Sequence, residues 1–224
     1  MSKLVAALGW KYEPKWLIDE LKRNLHWVDD FAILDCRDRD ELWIHEGDYR
    51  IALRKMAFEK GADWLLITSA DERWENNAGE KIRPLIDNNK DKVIYEFMLR
   101  ELYTPDEYRV DGIWGEKLRR RLYPLYYDQT MIYKPIQCTA VPVDPDYEIK
   151  FVDLNIYHLK HIEPENRQLR VDVFKKLDPD NKFQGIGYDY LNDDLNSQFE
   201  KIPPGRGYSP PYRKYIFKVP KRYL

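Results

Sequence analysis

Cysteine and long apolar runs are scarce in this chain of 224 residues, and its charges nearly balance. The two cysteines, Cys36 and Cys138, lie far apart and form no metal-binding spacing, which favours reduced thiols over a disulfide framework. No window reaches the ~18 consecutive apolar residues of a membrane span, and the first residues lack the pattern of a signal peptide. These absences predict a cytoplasmic protein without a transmembrane segment.

The charge and the aromatic content leave the function open. Lysine and arginine total 37 against 39 aspartate and glutamate residues, so the net charge indicates no particular partner. The chain has 17 tyrosines and 7 tryptophans, and such rings often line sites for sugars, bases or peptides, although they are also common on ordinary surfaces. The length suits one domain with a sizeable core.

Apolar runs of strand length alternate with helical patterns in about the first 70 residues. The runs at residues 4–8, 31–34 and 64–67 predict three strands, because each is short and bounded by polar residues or glycine. The stretches between them predict two helices, the first with Pro14 in its first turn and the second ended by Gly61. This order implies right-handed crossovers and a parallel sheet.

The rest of the chain changes character. Residues 93–99 and 130–133 predict further strands, separated by a long polar and aromatic stretch, and Pro164 opens another helix. The whole pattern predicts an α/β fold, a Rossmann-like mixed sheet flanked by helices in a single domain. The residues expected to form the core stripe of the last helix are Leu169, Val173, Phe174 and Leu177.

Acidic residues follow two of the predicted strands at the point where each strand ends. Asp35 follows the second strand and Asp71 follows the third. In open α/β sheets, ligands bind beyond the carboxyl ends of the strands, and these ends meet at one edge. We therefore expect Asp35 and Asp71 to share a site. The alternative for each is a solvated junction between strand and loop.

Residues 201–224 differ in composition from the rest of the chain. They carry seven basic residues, no acidic residue and several prolines, which argue against a helix. We expect an extended basic arm that wraps the domain or contacts an anionic surface, either nucleic acid, where tyrosines would stack on bases, or a membrane. The basic residues are Lys201, Arg206, Arg213, Lys214, Lys218, Lys221 and Arg222.

Several short motifs occur in the order typical of one known family. They are Gly9-Trp10, Asp35, Arg50, Gly61-Ala62-Asp63-Trp64, Ser69-Ala70-Asp71-Glu72, Ile156-Tyr157-His158-Leu159-Lys160, Glu165-Asn166-Arg167-Gln168-Leu169-Arg170 and Leu177-Asp178-Pro179. Together they resemble the family 2-like glycosyltransferases of the nucleotide-binding A-type fold, from roughly Lys3 to Asp194. The resemblance implies a glycosyltransferase-like domain at residues 1–200, with a nucleotide-binding half (1–91) and an acceptor and metal-closing half (92–200), followed by the arm (201–224).

The resemblance implies an enzyme that moves a sugar from a nucleotide-diphosphate donor, first of all a UDP-sugar, to an acceptor hydroxyl with inversion. The acceptor stays open among a glycan, a lipid carrier, a protein and a modified nucleobase in DNA. Asp71 and His158 would hold Mn²⁺ or Mg²⁺. The residues that the resemblance and the helix spacing assign to donor binding are Gly9, Trp10, Asp35, Arg37, Arg50, Ser69, Ala70, Arg167 and Arg170.

Ser69 is a departure from the family pattern. It stands where the Asp-X-Asp motif of the family has its first carboxylate, and a hydroxyl brings no negative charge. We therefore expect a lower metal affinity, and a histidine ligand would favour manganese. Glu72 either assists or only orders the loop, and His161 is a weaker candidate ligand than His158.

A general base has to be a carboxylate within hydrogen-bond reach of the acceptor hydroxyl. Asp111 is the first candidate, because the neighbouring Trp114 would form an acceptor platform, and Glu116 is the second. Asp111 is equally suited to capping a turn. The basic run at residues 119–121 would steer an anionic acceptor, or it solvates a helix face.

Two other functions fit parts of the sequence. A binding module that holds a nucleotide or sugar without turnover would explain Ser69. A nucleotidyltransferase would also use acidic residues on an α/β sheet, but it usually needs a glycine-rich phosphate loop, and the segment after the first strand supplies only Gly9 and Lys11.

Overall fold

The computed structural model describes residues 1–39, 45–87, 89, 92–136 and 138–219. Its strands are β1 (Leu4–Trp10), β2 (Asp30–Asp35), β3 (Trp64–Ile67), β4 (Glu72–Trp74), β5 (Val93–Glu101), β6 (Glu107–Arg109), β7 (Leu118–Pro124), β8 (Glu148–His158) and β9 (Phe199–Lys201). Its α-helices are α1 (Lys15–Asn24), α2 (Glu46–Glu59), α3 (Ala78–Asp87) and α4 (Pro164–Leu177). Among the described residues, no helix is long and apolar enough to cross a membrane.

Seven strands form one mixed sheet in the order β2-β1-β3-β7-β5-β8-β4. Strands β1, β2 and β3 are parallel, β7 runs antiparallel to β3 and β5, and β4 runs antiparallel to β8. Because β5 and β8 are parallel to each other, the carboxyl ends of β1, β2, β3, β5 and β8 meet at one edge, together with the amino ends of β7 and β4. The predicted α/β fold with a mixed, helix-flanked sheet is confirmed.

Strand β1 shows how the sheet is covered on both faces. Alternate residues of a strand point to opposite faces. Leu4, Ala6 and Leu8 lie in the apolar cluster that includes residues of α1 and α3. Val5 and Ala7 lie in a second cluster with residues of α2. The near-continuous apolar character of β1 thus follows from burial on both faces.

The second half of the chain departs from several predictions. Residues 130–133, predicted as a strand, have irregular backbone. The basic run at residues 119–121 lies in β7 rather than on a helix face. Helix α4 begins at Pro164 as predicted. The residues predicted to face the core from this helix are not all buried. Val173 is buried, whereas Leu169, Phe174 and Leu177 are only partly buried.

The C-terminal segment, defined here as residues 202–219, has no helix or strand and packs along the domain. Its buried aromatic residues are Tyr208, Tyr215 and Phe217, which belong to the main apolar cluster. Two of its basic residues form ion pairs with carboxylates of the domain, Arg206 with Glu75 and Asp153, and Lys214 with Glu163. Lys221 and Arg222 lie outside the described residues, and contact with nucleic acid stays a prediction.

Candidate functional site

A cleft of about 690 Å³ opens at the edge where the carboxyl ends of the parallel strands meet. The loop after β1, the loop between β3 and β4, and the ends of β5, β7 and β8 all contribute to its walls. Eight of the residues predicted for donor or metal binding line it: Gly9, Trp10, Arg50, Ser69, Ala70, Asp71, His158 and Arg170.

Sheet register brings three side chains together at the base of this cleft. His158 ends β8 and is paired in register with both Glu101, the last residue of β5, and Glu72, the first of β4. Asp71 directly precedes β4. His158 Nε2 therefore lies 3.2 Å from Asp71 Oδ2, and His158 Nδ1 lies 3.1 Å from Glu101 Oε2. Asp71 and His158 are therefore in contact, as the sequence predicted, and Glu101 lies on the other side of the His158 ring.

Two largely buried lysines lie beside this group. Lys117 Nζ lies 2.5 Å and Lys160 Nζ 3.5 Å from Glu101 Oε1, and the Glu101 side chain is fully buried. Burial raises the pKa of Glu101, but the charges of His158, Lys117 and Lys160 outweigh it and hold the pKa well below its ordinary value. Both carboxylates at the base of the cleft are therefore ionised at neutral pH.

Asp71 and Lys160 have shifted pKa values for related reasons. Burial raises the pKa of Asp71, but the charge of His158 and a hydrogen bond with it lower the pKa well below its ordinary value. Burial and the nearby charges of Arg170 and Lys117 lower the pKa of Lys160 to about 7, although Glu101 raises it. Clustered shifts of this kind are typical of functional sites.

Glu72 orders the loop that carries Ser69 and Asp71. Its Oε2 accepts hydrogen bonds from the Ser69 amide at 3.0 Å and the Thr68 hydroxyl at 3.1 Å. Its other carboxylate oxygen is paired with Arg121 of β7. Both oxygens are thus used within the protein, which favours the structural alternative for this residue.

Three guanidinium groups in the cleft walls have no carboxylate partner among the described residues. They belong to Arg50 of α2, Arg119 of β7 and Arg170 of α4. The Nε atoms of Arg50 and Arg170 are buried without a hydrogen-bond partner. Guanidinium groups bind phosphate oxygens strongly and often in pairs. The cleft can therefore accept an anion that reaches several of its walls.

Gly9 is required by the close approach of Tyr49. The Gly9 amide donates a hydrogen bond of 2.6 Å to the Tyr49 hydroxyl, and a Cβ atom on Gly9 would collide with the Tyr49 ring. Tyr49, which belongs to α2, also lines the cleft. A side chain at position 9 would displace this wall.

The Gly9→Ala variant is expected to lose about 1–3 kcal/mol of unfolding free energy, because overpacking shifts Tyr49. Urea denaturation measures the change. Gly185→Ala is the matched control, since no heavy atom lies within 4 Å of its Cβ position, and a change within about 0.5 kcal/mol is expected there. Equal stability of the two variants would contradict the close approach.

Two residues predicted for donor binding lie beside the cleft but do not line it. Asp35 is exposed and forms a two-pronged ion pair with Arg37, in which the shortest distance, Nη2 to Oδ2, is 2.6 Å. The Arg37 guanidinium stacks 3.7 Å from the ring centre of Trp10, which does line the cleft. The ion pair of Asp35 and Arg37 therefore contacts the cleft lining through Trp10.

Three other predicted residues also lie outside the cleft lining. Arg167 is buried, stacks over Tyr103 and lies 3.5 Å from Asp194. Asp111 is held by both prongs of Arg109, whose hydrogen bonds lower the pKa of Asp111 to about 2. Glu116 is exposed to solvent. Their predicted roles in phosphate binding and base catalysis have no support in this geometry.

Asp71 and His158 fit two ligands of a divalent cation. Two ligands at right angles, each about 2.1 Å from an ion, lie about 3 Å apart, close to their observed separation. The Glu101 carboxylate lies 3.1 Å from Nδ1 of His158, on the side from which carboxylates orient metal-binding histidines, but the two atoms do not form a hydrogen bond in this geometry. Among the described residues, however, no group of three or more His, Cys, Asp or Glu side chains is arranged to hold a metal. The remaining ligands would have to be water or substrate oxygens.

Sequence analysis missed the position of Glu101 beside His158. The sequence did contain a signal for this position. Glu101 is the last residue of an apolar strand, and Asp71 likewise follows the end of an apolar strand. Lys117 and the loop at residues 138–141 also line the cleft, and no sequence pattern singles them out.

Comparisons with known proteins found structural neighbours but no match in sequence. No protein-family model and no curated protein matches the sequence. A glycosyltransferase involved in the glycosylation of the major capsid of PBCV-1 is similar in structure, with 11% identity and a TM-score of 0.35 over 55% of this chain and 59% of that chain. Residues 1–349 of S. aureus TarS show 12% identity and a TM-score of 0.43 over 77% and 65%. Each match spans less than two thirds of the neighbour's chain.

Proposed function

We propose that this protein is a glycosyltransferase that moves a sugar from a nucleotide-diphosphate donor, a UDP-sugar in the first place, to an acceptor hydroxyl. One observation carries the proposal: the ionised Asp71 faces His158 in a cleft whose walls hold guanidinium groups that have no carboxylate partner in the described part of the chain. Such a cleft has the charge and the shape to hold a diphosphate. The sequence resemblance to family 2-like glycosyltransferases supports the same reaction.

Charge neutralisation is the main task of the site. As the glycosidic bond to the donor breaks, negative charge grows on the leaving diphosphate, and fixed cations that face it lower the barrier. Arg50 and Arg170 are suited to this role, because their guanidinium groups lack carboxylate partners among the described residues. Lys160 would add a third cation, in a proportion that depends on pH because its pKa is about 7.

The proposal includes a divalent cation, Mn²⁺ or Mg²⁺, held by Asp71 and His158. When bound, such an ion neutralises charge on the diphosphate oxygens. Glu101 would orient His158 through Nδ1 and so present Nε2 to the ion. Ser69 contributes no charge, so a weak metal site is expected, with manganese preferred for its imidazole ligand.

Transfer with inversion needs a base at the acceptor hydroxyl, and the proposal assigns it to a carboxylate of the cleft. Glu13 is the first choice, because it lines the cleft and because burial and the charge of Asp71 raise the pKa of its carboxyl, which makes the carboxylate a stronger proton acceptor. Its Oε2 also accepts hydrogen bonds from the amides of Lys11 and Tyr12, which fix its position. Glu96 is the second choice, since it is only loosely paired with Arg120, at 3.6 Å. The acceptor stays open.

A thermal-shift screen tests the donor site. UDP, GDP, ADP and CDP are added with and without Mn²⁺, each with its free nucleoside as control. At ~100 times its dissociation constant, a ligand adds about 2.7 kcal/mol of stability, which raises the melting temperature of a domain of this size by about 5–11 °C. We expect at least one nucleoside diphosphate to raise the melting temperature only when Mn²⁺ is present. No response to any diphosphate would reject the proposal.

A binding module without turnover is the second candidate, favoured by the missing charge at Ser69. It predicts the same thermal shifts as the enzyme but no consumption of a nucleotide sugar. Donor hydrolysis followed by chromatography of the released nucleoside diphosphate separates the two functions.

A further inference from the structure

Strand β7 extends beyond the end of β3 and forms one wall of the cleft. Its antiparallel pairing with β3 runs from Pro124 to Leu122, and residues 118–121 lie past the last pair, toward the end of β3 where the cleft opens. On its other side this stretch stays paired with β5, where Arg119 meets Phe97. All four of these residues line the cleft. The wall is therefore held by the sheet, and three of its four side chains are arginines, at residues 119–121.

The three arginines of this wall differ in their counter-charges. Arg120 lies 3.6 Å from a carboxylate oxygen of Glu96, and Arg121 is paired with Glu72. Arg119 has no carboxylate partner in the described part of the chain, and its Nη1 donates a hydrogen bond of 2.9 Å to the Leu118 carbonyl. It is partly buried, and this burial lowers the pKa of its guanidinium group. Because a buried charge without a counter-charge destabilises the fold, Arg119 is suited to an anion from outside the protein.

The position of Arg119 separates it from the proposed nucleotide contacts. In the sheet, β3 lies between β7 and β1, the strand that ends at Trp10. Neighbouring strands are about 4.8 Å apart, so β7 lies about 10 Å from β1. Glu96 of β5, the second choice for the base, is paired in register with Arg120, next to Arg119. An acceptor hydroxyl at Glu96 therefore brings the rest of the acceptor to the β7 wall.

The charges that line the cleft do not cancel. Among the described residues that line it, eight are lysine or arginine and six are aspartate or glutamate. The surplus is local, since the whole chain has 37 basic against 39 acidic residues, and it persists when Lys160 is uncharged. The charges of a divalent ion and of the donor diphosphate largely cancel each other. The cleft therefore stays positive with the donor bound and attracts a second anion.

We propose that the acceptor is anionic: a hydroxyl compound that bears a phosphate ester, bound by the guanidinium group of Arg119 on the β7 wall. Guanidinium groups match phosphate oxygens with two parallel hydrogen bonds. This inference rests on the proposed function and deepens it, because it names the chemical class of the acceptor. Arg50 and Arg170 keep their proposed role at the donor diphosphate.

Matched pairs of compounds test the acceptor class by calorimetric titration at constant ionic strength and constant free Mn²⁺. Glucose 6-phosphate is compared with glucose, glycerol 3-phosphate with glycerol, and thymidine 5′-phosphate with thymidine. The protein is first saturated with Mn²⁺ and the nucleoside diphosphate that it binds, so that the diphosphate site is filled. At least one ester is expected to bind about tenfold to a hundredfold more tightly than its parent, the effect of a hydrogen bond to a charged group. The pair with the largest difference shows whether the phosphate belongs to a sugar, a polyol or a nucleotide.

Three variants assign this preference to one side chain. Arg119→Gln is expected to reduce the preference for the ester to within twofold, to keep the diphosphate dissociation constant within twofold, and to leave the melting temperature unchanged or higher. Arg119→Lys should keep part of the preference, because a point charge remains without the fork. Arg83→Gln is the matched control, since Arg83 is paired with Asp29 away from the cleft lining, and it should change neither affinity.

The outcomes separate the inference from the function beneath it. If no ester binds the diphosphate complex more tightly than its neutral parent, the inference is wrong and the proposed function stands. The inference also fails if Arg119→Gln retains the preference, or if this variant loses diphosphate affinity by more than it loses the preference, which would assign Arg119 to the donor. Failure of the unaltered protein to bind any nucleoside diphosphate would overturn both.

Discussion

Replacing Glu101 with glutamine is expected to lower the free energy of unfolding by about 3–5 kcal/mol, because it leaves buried cations without their counter-charge. Glu101 is fully buried and lies within 3.5 Å of the side chains of Lys117, Lys160 and His158. Glutamine keeps the shape of the side chain but not its charge. Urea denaturation at pH 7.5 measures the loss, and a loss below 1 kcal/mol would contradict the role of Glu101 as the central counter-charge.

Two controls define the cause of this loss. Glu148→Gln removes an exposed carboxylate that is paired with Lys150, and a change within about 0.5 kcal/mol is expected. The double variant Glu101→Gln/Lys117→Met removes one of the stranded cations and should recover part of the loss. The folded-state pKa of Glu101 lies below its ordinary value, so the difference from the unaltered protein should persist above about pH 4.5 and shrink as the pH falls further.

The Asp71→Asn variant is expected to reduce donor turnover at least about a hundredfold, the loss typical when one group that stabilises developing charge is removed. Asparagine has nearly the same shape, but it loses the charge that faces His158 and that would bind the metal. The rate of release of the nucleoside diphosphate, measured over a series of Mn²⁺ concentrations, checks the expectation. The concentration of Mn²⁺ that gives half the maximal rate should also rise.

Two sequence-predicted aspartates serve as comparisons in the same assay. Asp35→Asn alters an exposed ion pair beside the cleft, and Asp111→Asn alters a carboxylate bound by Arg109. From their positions, both variants should keep turnover within about tenfold of the unaltered protein, less than the loss that removal of a general base causes. A hundredfold loss for Asp111→Asn would instead support the sequence prediction that it is the base.

The fold of about the first 70 residues was predictable, because each element there has a local cause in the sequence. Strands β1 and β3 are apolar on both faces, and α1 buries one stripe of leucines after Pro14. Strand β7 was not predictable, since arginines occupy residues 119–121 and such runs are typical of solvated surfaces. They fit a strand here because Arg120 pairs with Glu96 of the neighbouring β5, and Arg121 pairs with Glu72 at the start of the more distant β4.

Helix α4 shows where periodicity stops being informative. Arg167 and Arg170 lie three residues apart, and sequence analysis assigned both to the donor. The structure turns only Arg170 into the cleft, while Arg167 packs against Tyr103 and Asp194. A spacing of three spans most of a helical turn, so the two side chains point in directions that differ by about 60°, and the neighbouring elements decide which side chain faces the ligand.

The sequence by itself determined that acidic residues end apolar strands, and that a mixed α/β sheet carries them to one edge. These features could be read from the sequence because the periodicity and length of strands and the residues that end helices are local properties of the chain. Only the tertiary structure decided which of these residues meet. His158 reaches Asp71 and Glu101 through the pairing of β8 with β4 and β5, and such pairings join residues far apart in sequence. Their register is fixed by the burial of whole sheet faces, which no short motif records.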